Sequence, residues 1–202
     1  MKKTIVSFLL AIFVVVLAFI ISGCNYKHQA EPISKNDFSV YYNDFEINYY
    51  TVFSDILDKF GYGNAEEHEG NNYGYISGCP EARRFIIKYP DYENTVISLI
   101  CIENYTTGEF FIERIRLDDV ETKRGIRKGD KKDAMLEVYG ENYQKESNDS
   151  DLCSYIYSDR AGHSIRFTVY EINNTIIDIL FEYNVDGYES LMIESYQNAI
   201  IN

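Results

Sequence analysis

A chain of 202 residues in which 46% of the side chains are hydrophobic and 25% charged has the composition of a globular protein with one core or two small ones. Its 19 Lys and Arg stand against 32 Asp and Glu, a net charge of −13, which excludes a general nucleic-acid surface and a face for anionic lipid, because both need an excess of positive charge. Three His, four Cys and no Trp are scattered rather than clustered, which leaves few residues for a metal or nucleophile site.

Lys2 and Lys3 precede an almost uninterrupted apolar run over residues 4–21, followed by Ile21-Ser22-Gly23-Cys24. About 20 apolar residues are enough to cross a bilayer, so the flank has to decide between a spanning helix and an export signal. An aliphatic residue, two small residues and a cysteine resemble a bacterial lipobox, with Ile21, Ser22 and Gly23 as the signal-peptidase recognition residues and Cys24 as the lipidated cysteine. The expectation is a lipoprotein signal peptide over 1–23, a mature chain beginning at Cys24, and a protein anchored by lipid on the outer face of the cell membrane. Removal of 1–23 takes away two lysines and no acid, leaving a still more acidic remainder. Residues 24–37 are polar, contain Pro32 and show no apolar period, so they read as a flexible tether, with His28 a solvated linker residue.

The rest of the chain repeats itself. SDILDKFG (54–61) and KDAMLEVYG (132–140) are both short amphipathic helices with apolar positions three or four apart, each ending in an aromatic residue and a glycine, Phe60-Gly61 and Tyr139-Gly140. Strand-like runs follow each helix. Residues 83–91 correspond to 152–159, with Tyr89 and Asp91 matching Tyr157 and Asp159. At the same offset Ile97, Leu99, Cys101 and Glu103 match Ile165, Phe167, Val169 and Glu171. Residues 110–117 resemble 175–183, aligning Ile112 with Ile177 and Ile115 with Leu180. Alternating apolar residues with short Gly, Asn and Asp turns between them predict antiparallel strands half-covered by a helix. The expected class is α+β, with two tandem modules, each a short helical segment on an antiparallel sheet of three to four strands: 38–119, and 120–202 ending in a helix over 186–202.

The segment TKRGIRKGDKKDAMLEVYG (122–140) carries a further signal. Its Thr122, Arg124-Gly125-Ile126, Gly129-Asp130 and Tyr139-Gly140 resemble a module of many lipobox-bearing proteins of Gram-positive bacteria, and also the repeat of the β-lactamase-inhibitor-protein-like fold. That resemblance covers roughly residues 38–185 and implies two helix-on-sheet modules and a binding role. The first module departs from the pattern, having YYNDFEINYYTVF before Ser54 in place of the glycine signature, and the inhibitory activity itself is not carried over.

No motif for chemistry is present: no G-x-S-x-G elbow, no Walker loop, no H-E-x-x-H and no cofactor signature. Gly61-Tyr62-Gly63 follows a helix and reads as a turn. His68 and His163 are isolated loop residues of the kind usually solvated, and the acidic groups Glu66, Glu67, Glu69 and Asp149, Asp151 read as solvated loops. Lys123, Arg124, Arg127 and Lys128, with Lys131 and Lys132, form the dense basic run. It reads either as a partner contact or as an exposed linker balanced by Asp118, Asp119, Glu121, Asp130 and Asp133. The 19 Tyr invite ring stacking on sugars but are more simply strand formers. Cys101 reads as a small buried hydrophobe, while any disulfide among Cys79, Cys101 and Cys153 is left open. The functional expectation is a non-enzymatic envelope protein without cofactor that recognises a protein partner, through its sheet faces or the groove between modules, and no nucleic acid. An envelope hydrolase with scattered carboxylates and a purely structural lipoprotein are the alternatives.

Overall fold

Alternation along the strands places every second side chain on one face of a single sheet. The computed structural model describes residues 30–61, 75–76, 79–91, 93–104 and 110–184. In chain order these hold β1 (Val40–Tyr42), β2 (Phe45–Ile47), α1 (Phe53–Phe60), β3 (Tyr75–Ile76), β4 (Cys79–Tyr89), β5 (Ile97–Asn104), β6 (Phe110–Leu117), α2 (Lys132–Tyr139), β7 (Gln144–Ser147), β8 (Leu152–Ser158), β9 (Ser164–Tyr170) and β10 (Thr175–Glu182). β1 and β2 form a hairpin. The other eight strands form one antiparallel sheet in the order β3-β4-β5-β6-β10-β9-β8-β7. The protein is therefore α+β, and the β6–β10 pairing joins the two halves of the sheet, Ile115 opposite Phe181 and Leu117 opposite Ile179.

Cross-strand register turns the alternation into continuous apolar rows. One runs Ile87, Leu99, Ile115, Phe181, Ile165, Tyr157; the next runs Tyr89, Ile97, Leu117, Ile179, Phe167, Tyr155. All twelve are at most 3% exposed. Burying each such side chain is worth about 1.5–3 kcal/mol, so these rows are the core of the molecule. Both helices cover this face. The apolar residues of α1 are spaced three and four apart, which buries Ile56 fully, stacks Phe53 on Phe110 at 3.6 Å and sets Phe60 5.6 Å from Tyr89. From α2, Met135 and Tyr139 are buried, and the Tyr139 ring lies 5.3 Å from Tyr157 and 5.1 Å from Phe167. Neither eight-residue helix would persist alone in water; packing on the sheet holds them.

Each helix ends in the same way. Gly61 and Gly140 take positive φ (70° and 79°), a conformation that costs a side-chain-bearing residue energy. Their carbonyls accept hydrogen bonds from the Tyr89 and Tyr157 hydroxyls at 2.9 and 2.7 Å. Burial and nearby tyrosines or, for Tyr89, Cys101 push both phenols well above their ordinary pKa, so they remain donors.

The third matched run needs a one-residue correction. Buried positions are Ile112, Ile115 and Leu117 in β6, and Ile176, Ile179 and Phe181 in β10. Ile112 therefore corresponds to Ile176 and Ile115 to Ile179, not to Ile177 and Leu180. The reason is a β-bulge: Glu113 is skipped between β5 and β6, Ile177 between β10 and β9, and each bulge shifts the alternation by one residue at the equivalent place.

The signature of 122–140 is architectural. Thr122 Oγ1 accepts from the Ile126 N–H and closes the turn that buries Ile126. Gly129 N–H donates to the Ile176 carbonyl, Ile176 N–H to that of Asp130, and Lys131 bridges to Thr175, so the linker is stapled to the start of β10 before α2 begins.

The stretch expected as tether is partly folded. Residues 35–37 form a 3-10 turn capped by Ser34, and Asp37 is only 6% exposed. Arg124 explains this: its Nε and Nη2 bond the two Asp37 carboxylate oxygens at 2.6 and 2.9 Å, and its remaining donors reach the carbonyls of Glu31, Pro32 and Val138. Burial alone would raise the Asp37 pKa, but Arg124 and Ser34 outweigh it and hold the carboxyl below its usual value. YYNDFEINYY, noted in the sequence only for lacking the glycine signature, makes the β1–β2 hairpin, turning at Asn43-Asp44 with both φ positive.

Candidate functional site

Two surfaces stand out among the described residues. The first is the sheet face opposite the helices. Its rows run Lys88, Ser98, Arg116, Leu180, Arg166, Ile156 and Ile86, Ile100, Arg114, Glu182, Ser164. Arginines with aliphatic neighbours replace the inner aromatics. Arg116 pairs with Asp178 at 2.7 Å, Arg84 with the bulge residue Glu113 at 2.6 Å, and Arg166 with both Glu146 and Glu182. Arg114 and Arg116, beside the seam, keep about half their side-chain surface in solvent. The ring contacts of α1, α2 and the β1–β2 hairpin all go to the other face. The edge strand β7, sequence QKES, is short and polar, which blunts pairing with another chain.

The second surface is a groove of about 610 Å³ between the β1–β2 hairpin, the β4–β5 turn and the linker joining the halves. Tyr42, Pro90, Val96 and Val120 give it an apolar lining, and Tyr41, Asn43, Asp119, Glu121, Lys123 and Arg127 supply polar groups. Alternation in β1 buries Val40 and Tyr42 and turns Tyr41 outward, 51% exposed. Lys123 Nζ lies 5.6 Å from the Tyr41 ring centroid and bonds Glu46 at 2.9 Å and Ser39 at 3.1 Å. The Ser39 hydroxyl, then Lys123, lower the Glu46 pKa. Arg127 is held by Glu121 at 2.8 Å, which raises its pKa, with Asp119 contributing at longer range. Asp119 itself makes no side-chain hydrogen bond or ion pair among the described residues.

The structure thus divides the basic run. Lys123 and Arg127 line the groove, Lys128 reaches Asp118 at 3.4 Å outside it, and Arg124 is an internal clamp whose donors are all engaged, so it has none free for a partner. Tyr41 was not singled out in the sequence, and Asp119 stood there only among the acids balancing the basic run. The alternating VYYNDFEI around an Asn-Asp turn was the available signal for Tyr41, and nothing local distinguishes Asp119 from neighbouring acids.

The remaining sequence candidates fall elsewhere. His163, expected to be solvated, is 5% exposed, its ring 4.3 Å from Tyr49 and 5.7 Å from Phe38; Nδ1 accepts the Asn184 N–H, so the imidazole completes the packing at the end of β10. Cys101 and Cys153 are buried and unpaired, Cys101 in the core as expected, and Cys79 starts β4. No group of His, Cys, Asp and Glu that could hold a metal occurs among the described residues. No helix among them is long and apolar enough to cross a membrane. Residues 1–23 with Ile21, Ser22, Gly23 and Cys24, the residues His28, Glu66, Glu67, His68 and Glu69, and the expected helix 186–202 lie outside the described residues.

Fold and surfaces together define an α+β protein whose described helices pack on one face of a single sheet. The chain matches no protein-family model, no curated protein and no solved structure.

Proposed function

We propose that this chain is a lipid-anchored binding protein of the cell envelope, held by Cys24 on the outer face of the cell membrane, which recognises a protein partner and catalyses no reaction. The observation that carries the binding reading is the outer sheet face, where four arginines and aliphatic residues lie across the seam while the described helices, α1 and α2, pack on the opposite face. Arginine is enriched at protein interfaces because its planar guanidinium pairs with carboxylates while its stem covers apolar surface. The same helix lock on both sides of the seam supports reading the halves as tandem copies of one module, as the resemblance to β-lactamase-inhibitor-like proteins implies; duplication widens this face and adds no nucleophile. Anchoring rests on the apolar run 4–21 ahead of Ile21-Ser22-Gly23-Cys24.

Two experiments test it. A fatty-acid probe should label the wild type in cells and miss Cys24→Ala; labelling that survives the substitution removes the anchor. A photo-crosslinking residue at Leu180, on the outer face, should give one discrete protein adduct in the native envelope, and Arg116→Glu should abolish it. An adduct unchanged by Arg116→Glu, or envelope-substrate hydrolysis abolished by a single carboxylate substitution, overturns the reading.

A further inference from the structure

We propose that the groove between the β1–β2 hairpin and the linker is a saccharide site that takes one or two sugar rings, a function separate from protein recognition on the outer sheet face. Size sets the first limit: about 610 Å³ lies within the range of sites for small ligands and gives room for one or two sugar rings. Charge sets the second. Lys123 pairs with Glu46 and Arg127 with Glu121, while the Asp119 carboxylate, which Arg127 feels only at longer range, makes no direct ion pair among the described residues, so an anion would meet net negative charge. A purely apolar ligand would strip water from that carboxylate without replacing its hydrogen bonds.

A sugar ring satisfies both sides. The C–H groups on one face of a pyranose carry partial positive charge and suit the negative face of an aromatic ring, which the half-exposed Tyr41 supplies beside apolar Val120. Its hydroxyls donate to carboxylates and accept from amides and guanidinium, and Asp119, Asn43 and Arg127 line the same groove. The lining is held before any ligand arrives. Tyr41 is fixed by β1–β2 pairing and the linker by the Asp118 and Asp119 N–H bonds to the Val96 carbonyl, which reduces the ordering cost of binding.

Saturation-transfer NMR on the full chain in lipid nanodiscs, with N-acetylglucosamine, its β-1,4-linked disaccharide, glucose and a short lysine-containing peptide as separate probes, tests the inference. At least one saccharide should show saturable transfer to its ring protons. Tyr41→Ala should abolish it, and Asp119→Ala should weaken affinity about tenfold. Tyr50→Ala, which removes a 69% exposed tyrosine outside the groove, should bind like wild type. Circular dichroism shows whether each variant is folded; should Tyr41→Ala unfold, Asp119→Ala alone decides. Transfer to none of the saccharides, transfer to the peptide alone, or wild-type saccharide affinity in folded Tyr41→Ala or Asp119→Ala overturns the proposal.

Discussion

The two halves of the sheet share one end of their helices and differ at the other. At the C-terminal ends, Phe60-Gly61 and Tyr139-Gly140 sit under Tyr89 and Tyr157 with the same hydrogen bond to the glycine carbonyl. At the N-terminal ends the equivalent residues are Phe53, stacked on Phe110, and Lys132, bonded to Glu171 at 2.8 Å. Glu171 also accepts from Lys145 and the Tyr155 hydroxyl. One half closes that end with aromatic contact, the other with a charged network. The difference teaches that the helix's position on the sheet depends on the lock, where a specific backbone carbonyl must be reached, whereas its opposite end only needs to be covered.

If the inner rows are the common core, Phe167→Ala should cost about 3–5 kcal/mol in urea denaturation, and Thr168→Ala, one residue on and pointing outward, less than about 0.5 kcal/mol. Comparable costs for both would show that the two faces are misassigned. The asymmetric device, Arg124 clamping 31–37 onto the second half, comes next. Arg124→Ala should cost about 3 kcal/mol because it leaves the Asp37 carboxylate buried and unpaired, and adding Asp37→Ala should restore part of the loss. Equality of the locks is sharper and smaller: Tyr89→Phe and Tyr157→Phe should each lower stability by about 1 kcal/mol, and a pair that differs by much more than that breaks the equivalence.

The smallest effect lies in the charged end of the second half. Hydrogen bonds from Lys132, then Tyr155, against a small opposing effect of burial, hold the Glu171 pKa down to about 2. A depressed carboxylate stabilises the fold above its unfolded pKa of about 4.5 and loses that contribution as pH falls toward 2. Glu171→Gln should therefore be less stable than wild type by about 1 kcal/mol near neutrality, allowing for solvent screening, with the gap closing between pH 5 and 2. A gap that stays constant across those pH values would show that the charge is irrelevant there. Phe53→Ala in the first half should show no such pH dependence.

Periodicity alone determined the helices, the long strands and the matched positions Ile97 with Ile165 and Leu99 with Phe167, because burial on one sheet face imposes a period of two wherever pairing is regular. It missed the offset of β10, since in TIID three consecutive positions are compatible with either phase and only cross-strand hydrogen bonding places the bulge at Ile177. Lys123, Arg124, Arg127 and Lys128 look alike in sequence. The fold separated them, bringing Asp37 to Arg124 from 87 residues away and leaving Lys123 and Arg127 on a groove. The joining of two half-sheets through β6 and β10 was likewise undecided in the chain, because both strands are amphipathic enough to serve as an edge. Tertiary packing settled it by continuing the apolar rows across the seam, where an edge would have left them exposed.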